Sequence, residues 1–219
     1  MEMMILGLIL FLGGHSVRIF AENGRTRLIN RIGQNAYKGI YALVAILGII
    51  LIVKGHDNAL EASTWGWAPP VFTKHIALLL MLFAVILLVS TYIPNNHIKA
   101  KLKHPMVLSV KVWALAHLIS NGEAANVILF GSFLIWAVLD FRFARKRDRQ
   151  VAQNDANFSA DQATPKKSIA STVSCILLGA IIWVAMLAYL HNLFFGVYPI
   201  IIPGLIGPTA VPPTVVLPT

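Results

Sequence analysis

Residues 76–90 read Ile-Ala-Leu-Leu-Leu-Met-Leu-Phe-Ala-Val-Ile-Leu-Leu-Val-Ser, an apolar run without a formal charge. Extended outward to Phe72 and Ile93, it is long enough to cross a hydrocarbon core, which needs about 20 apolar residues as helix. The same test gives five further stretches: Met3–Phe20, Gly39–Val53, Pro105–Ser120, Ala124–Phe141 and Ser171–Phe195. Hydrophobic residues make up 57% of the chain and charged residues 12%, with a mean hydropathy of +0.72, whereas a soluble domain carries about 25% charge. The expected fold is all-α: a polytopic membrane helix bundle of about six transmembrane helices. The first span follows Glu2 instead of a basic leader and lacks a small-residue cleavage box, so it is expected to remain as a helix.

The cations give the expected topology. Arg18, Arg25, Arg27, Arg31 and Lys38 lie around the first connection, Lys99, Lys101 and Lys103 in the third, and Arg142, Arg145, Lys146, Arg147, Arg149, Lys166 and Lys167 in the fifth. The alternate connections hold only Lys54 and Lys74, with Asp57, Glu61 and Glu123 against them. By the positive-inside rule the odd connections are cytoplasmic and both termini periplasmic, as in a multi-pass protein of a bacterial inner membrane. The net charge of +9 then reads as topology and attraction to anionic lipid. It does not read as nucleic-acid binding, which would need a folded soluble module.

Residues 1–196 form the expected transmembrane domain, with a flexible basic linker over 142–170. Residues 197–219 form an uncharged tail whose prolines, from Pro199 to Pro218, preclude another helix. Cys175 is the lone cysteine, so neither an internal disulfide nor a thiolate metal site is available.

Seven histidines stand out in so apolar a chain, because an imidazole at bilayer depth needs a partner, a cofactor or a polar path. His56, His75 and His97 fall near helix ends and read as interfacial hydrogen-bonding residues, while His104 precedes Pro105 at a helix start. His191 falls at the outer end of the last span. His15 and His117 are the deepest. In the fourth span Trp113, His117 and Asn121 share one stripe at i, i+4 and i+8, and Lys111 shares the His104 face as a snorkelling cation. In the first span His15 and Arg18 are i, i+3 neighbours, and Gly7, Gly13 and Gly14 leave room for a helix or a flat ligand. Upright helices put His15 and His117 about 10 Å apart along the membrane normal, a gap that tilts of about 20° partly close. His117 with His191 or His75 is the alternative pair.

Four segments carry a family resemblance: Gly13-Gly14-His15-Ser16-Val17-Arg18, Lys103-His104-Pro105-Met106, the run from Lys111 through Trp113-Ala114-Leu115-Ala116-His117 to Asn121-Gly122-Glu123, and Leu190-His191-Asn192-Leu193-Phe194-Phe195-Gly196. Together they resemble the NnrU family of bacterial inner-membrane proteins, which is associated with nitrite and nitric-oxide reduction. That family is similar to plant and cyanobacterial zeta-carotene isomerase, which holds a b-type haem between two histidines and isomerises a polyene. The resemblance implies haem b, with His15 and His117 as iron ligands, Arg18 at a propionate, and Trp113 and Asn121 beside the cofactor. It implies an apolar polyene or nitric oxide as the ligand. Ala114 stands where the plant enzymes have a cysteine, so thiolate exchange is not available there. His104-Pro105 is also similar to the His-Pro region of integral membrane methyltransferases, whose downstream Glu-Glu pair is missing here. A membrane accessory protein without cofactor is the remaining alternative.

Overall fold

Where helices of this chain meet, the residues between them are small. In the computed structural model, which describes residues 1–155, 167–202 and 206–207, half of the buried apolar residues are alanines, among them Ala59, Ala77, Ala84, Ala114, Ala116, Ala125 and Ala137. Large side chains point outward, with Leu43 at 69% and Ile135 and Ile181 at 65% exposure. A water-soluble fold would bury these residues and leave small ones outside. The reverse arrangement is that of helices packed by close approach with lipid as the surrounding solvent.

The elements are α1 (Glu2–Phe20), α2 (Glu22–Ile32), α3 (Gln34–Glu61), α4 (Val71–Tyr92), α5 (His97–Leu102), α6 (Pro105–Ser120), α7 (Ala124–Asp155), α8 (Ile169–Ala185) and α9 (His191–Phe195). A single π-helical turn, Met186–Leu190, joins α8 to α9. Among the described residues there is no β-strand, only two isolated bridges. Local chemistry sets several of these ends. Asn96 accepts a hydrogen bond from the Lys99 amide at the start of α5 and Ser168 accepts one from Ser171 at the start of α8. Pro105 occupies the first turn of α6, where its missing N–H has no partner to lose.

Five helices, α1, α3, α4, α7 and α8 continued through α9, are long and apolar enough to cross a membrane. The expected fourth span is present as α6, at 16 residues the shortest of the apolar helices. Two expectations are corrected in length. The second apolar span, Gly39–Val53, is the middle of the 28-residue α3. The stretch expected to be a flexible linker from Arg142 is helical to Asp155 as the continuation of α7. Its later part, and most of the proline-rich tail, lie outside the described residues.

The helices pack in the order α3, α1, α7, α6, α4, α8. Between α1 and α3, a Cβ on Gly7 would lie 2.7 Å from the Gly48 carbonyl and the Ile52 amide, and one on Gly55 would lie 2.5 Å from the Met4 amide. Between α4 and α6, Ser109 Oγ donates to the Ala84 carbonyl at 2.7 Å. Between α4 and α8, Trp183 Nε1 donates to Leu78 O at 3.1 Å, while Gly179 lies against Ile86. These pairings set the relative directions. The start of α1, the end of α3, the 62–70 loop and the α6–α7 turn share one end of the bundle with α9. At the other end α2, α5, the start of α6 and the extension of α7 gather most of the lysines and arginines.

Candidate functional site

His15 on α1 and His117 on α6 sit on either side of α7, and each is treated alike by its own helix. His15 Nδ1 donates to the Phe11 carbonyl at 2.7 Å, and His117 Nδ1 donates to the Trp113 carbonyl at 2.9 Å. An imidazole that donates through Nδ1 in its neutral form keeps a lone pair on Nε2. Metal-binding histidines use this arrangement, with the second nitrogen fixing tautomer and ring orientation. His191 repeats it, donating from Nδ1 to the Val197 carbonyl at 2.8 Å. It follows directly on the π-helical turn, a break in helix phase frequent at functional sites.

Aromatic side chains fill the space between the two deep imidazoles. The His117 ring stacks on Phe130 at 4.5 Å between centroids and lies 5.1 Å from Trp113. Trp113 touches Phe133 at 5.3 Å, Phe133 touches Phe11 at 5.7 Å, and Phe11 lies 4.2 Å from His15. Tyr41 and Trp136 complete the surroundings of His15 at 5.2 and 5.8 Å. Trp136 Nε1 is buried without an acceptor among the described residues, a polar donor left open on the His15 side.

This packing measures the depth difference between the imidazoles. His117 rests on Phe130 and His15 on Trp136, six residues apart on α7, or about 9 Å along its axis. Two imidazole nitrogens on one metal lie roughly 4 Å apart, from bonds of about 2 Å each. The donor chemistry of each histidine therefore fits a haem iron. One iron shared by His15 and His117 fits only if the Phe11 and Phe133 rings are displaced. His191 lies at the same end of the bundle as His117, on a helix that, among the described residues, makes no direct contact with α6.

The other residues singled out by sequence take these places. Trp113 and His117 come together on Phe130, as their shared stripe requires. Asn121 Nδ2 donates to the His117 carbonyl at 2.9 Å, so its amide closes the end of α6. Arg18 is exposed at the end of α1 and His75 is exposed near the start of α4. Lys111 is half-buried, with no hydrogen bond or ion pair among the described residues. His104 Nε2 lies 3.0 Å from Asp148 Oδ2, binding the start of α6 to the extension of α7. Of the glycines beside His15, neither Gly13 nor Gly14 abuts another helix closely: a Cβ on Gly13 would meet nothing within 4 Å, and one on Gly14 only Val44 at 4.0 Å.

A polar network that spacing did not reveal lies at the end of the bundle shared by the start of α1 and the α6–α7 turn. His56 Nε2 donates to Asn126 Oδ1 at 3.0 Å, and Asn126 Nδ2 donates to Glu123 Oε2 at 2.8 Å. That hydrogen bond holds the Glu123 carboxyl below its ordinary range. Beside it the 62–70 loop clasps the α6–α7 turn: Trp67 N donates to Gly122 O at 3.2 Å and Ala124 N to Trp65 O at 3.0 Å. Gly122 is required there, because a Cβ would lie 1.8 Å from the Trp67 carbonyl.

Compared with known proteins, residues 3–199 match the model of the family described as NnrU protein. No curated protein and no solved structure matches the chain.

Proposed function

The chain belongs to the NnrU family, and from that premise we propose that it is a haem-b-binding protein of the bacterial inner membrane serving nitrite and nitric-oxide metabolism. One observation carries this reading: the embedded imidazoles of His15 and His117, and that of His191 at the bundle end, each engage Nδ1 with a backbone carbonyl and leave Nε2 for a metal. His117 is common to every ligand pair considered, with His15 by motif and with His191 or His75 as the alternatives. His117 and a second histidine would hold the haem, which would supply redox-active iron, and one of the two imidazoles would have to give way for a diatomic gas to bind. Trp113 and Phe130 would wall the site and exclude water, and the open Trp136 N–H would offer a hydrogen bond near His15. The basic end faces the cytoplasm, and the N-terminus and α9 face the periplasm.

A second reading, haem-dependent cis–trans isomerisation of a polyene, is favoured by one feature. A groove of about 300 Å³ between α1 and α7, lined by Ile5, Leu8, Ile9, Leu12, Ile128 and Ser132, suits an apolar chain entering from lipid.

Both readings are tested by absorbance spectra of the purified protein, oxidised and reduced, with a pyridine haemochrome assay. The expected result is a b-type spectrum that His117→Ala abolishes and His56→Ala and His97→Ala leave unchanged. Loss in His15→Ala identifies the motif pair, and loss in His191→Ala identifies the outer pair. A haem-free protein from cells well supplied with haem overturns the proposal. Nitric oxide and a poly-cis carotene, added to the haem-loaded protein, then separate the gas-binding role from the isomerase.

A further inference from the structure

The basic run that continues α7 is sorted by face. Arg145 lies 3.9 Å from Asp148, Arg147 lies 3.9 Å from Asp140, and His104 completes the Asp148 pair. The remaining cations, Arg142, Lys146 and Arg149, follow one another at i, i+4 and i+7 and form one stripe. All three are exposed, and none lies within ion-pair distance of a carboxylate among the described residues. Leu139 and Phe143 lie beside them, and the five side chains line a groove of about 330 Å³. Phe143 also meets Phe20, at 5.8 Å between centroids, which brings the end of α1 to the groove's edge.

The order along the helix matters. Leu139 belongs to the membrane-spanning part, whereas Lys146 and Arg149 stand about two and three turns farther out. An apolar floor at membrane depth capped by unpaired cations at the interface matches one kind of molecule, an acidic glycerophospholipid, with acyl chain on Leu139 and Phe143 and phosphate among the cations. We propose that the Leu139–Arg149 face of α7 is a binding site for an acidic phospholipid of the membrane leaflet at the basic end. This inference does not depend on haem.

Native mass spectrometry of the full chain in detergent, titrated with phosphatidylglycerol or phosphatidylcholine, tests it. Phosphatidylglycerol is expected to bind the native protein more tightly than phosphatidylcholine, and the triple variant R142Q/K146Q/R149Q is expected to lose this preference, at about fivefold per cation. The control R27Q/R31Q/K38Q removes three exposed cations from α2 and α3 at the same end and should change it less than about twofold. If the first triple loses helicity by circular dichroism, Arg149→Gln alone carries the test, with an expected loss of about fivefold. Retained preference in the α7 variants, or an equal loss in the control, overturns the site: the first means these cations hold no lipid, the second that only diffuse charge acts.

Discussion

At the residue scale, Asn121 has a different duty from the histidine it follows. Asn121 donates to the His117 carbonyl and thereby closes α6, so Asn121→Ala is expected to lower stability by about 1 kcal/mol, one hydrogen bond at a helix end. Thermal unfolding in detergent measures this, and the absorbance spectrum of the proposed haem should not move. A changed spectrum with unchanged stability would place the amide at the cofactor instead. Trp113 and His117 were legible as a pair because side chains at i and i+4 meet on any helix. The partner of Asn121 was not, since an amide at a helix end can turn back to a carbonyl or outward to a ligand at the same spacing. Nor did the sequence disclose His56, Asn126 and Glu123 as a network: His56 and Asn126 are separated by 70 positions and joined only when α3 meets α7.

At the element scale, hydropathy reads the boundary with water and hydrogen bonding sets the end of a helix, and the two need not coincide. In α3 the apolar middle is flanked by Gln34–Lys38 and Lys54–Glu61, which continue the helix through polar surroundings. In α7 the helix likewise runs past Phe141 into its basic segment, supported by the His104–Asp148 and Arg147–Asp140 pairs. The π-helical turn before His191 left no mark in composition. The glycines of α1 were legible as packing residues, but only the structure separates them: Gly7 is pressed against α3 and Gly13 faces open space. Gly7→Leu must push α1 from α3, because its Cβ would meet backbone atoms of Gly48 and Ile52. The expected cost is about 3 kcal/mol, at the upper end for overpacking. Gly13→Leu should leave the unfolding midpoint unchanged or raise it slightly through better helix propensity, by up to about 1 kcal/mol. Comparable losses in both variants would mean that α1 and α3 are not held by this close contact.

For the whole molecule, composition was sufficient for class because lipid reverses the rule of burial, and the same reversal explains the alanine-rich interior. The way the helices share ends was only partly legible: the cations mark one end, whereas the packing order depends on small-residue contacts scattered along the chain. That order places α1's start and α9 at the end opposite the basic groups, and the positive-inside rule predicts that the basic end faces the cytoplasm. The chain allows a direct check, because its one cysteine, Cys175, is fully buried and should stay silent to a thiol reagent. Thr64→Cys adds a thiol in the exposed 62–70 loop, and Gln150→Cys adds one on the exposed extension of α7. In sealed right-side-out vesicles, a membrane-impermeant maleimide should label Thr64→Cys at once and Gln150→Cys only after the membrane is opened. The reverse pattern would invert the bundle, and it would move the proposed phospholipid site to the periplasmic leaflet and the outer histidines to the cytoplasmic side. Labelling of both positions before opening would place the α7 extension and the 62–70 loop on one side, which antiparallel helices joined by the contacts of Trp67 with Gly122 and of His104 with Asp148 do not allow.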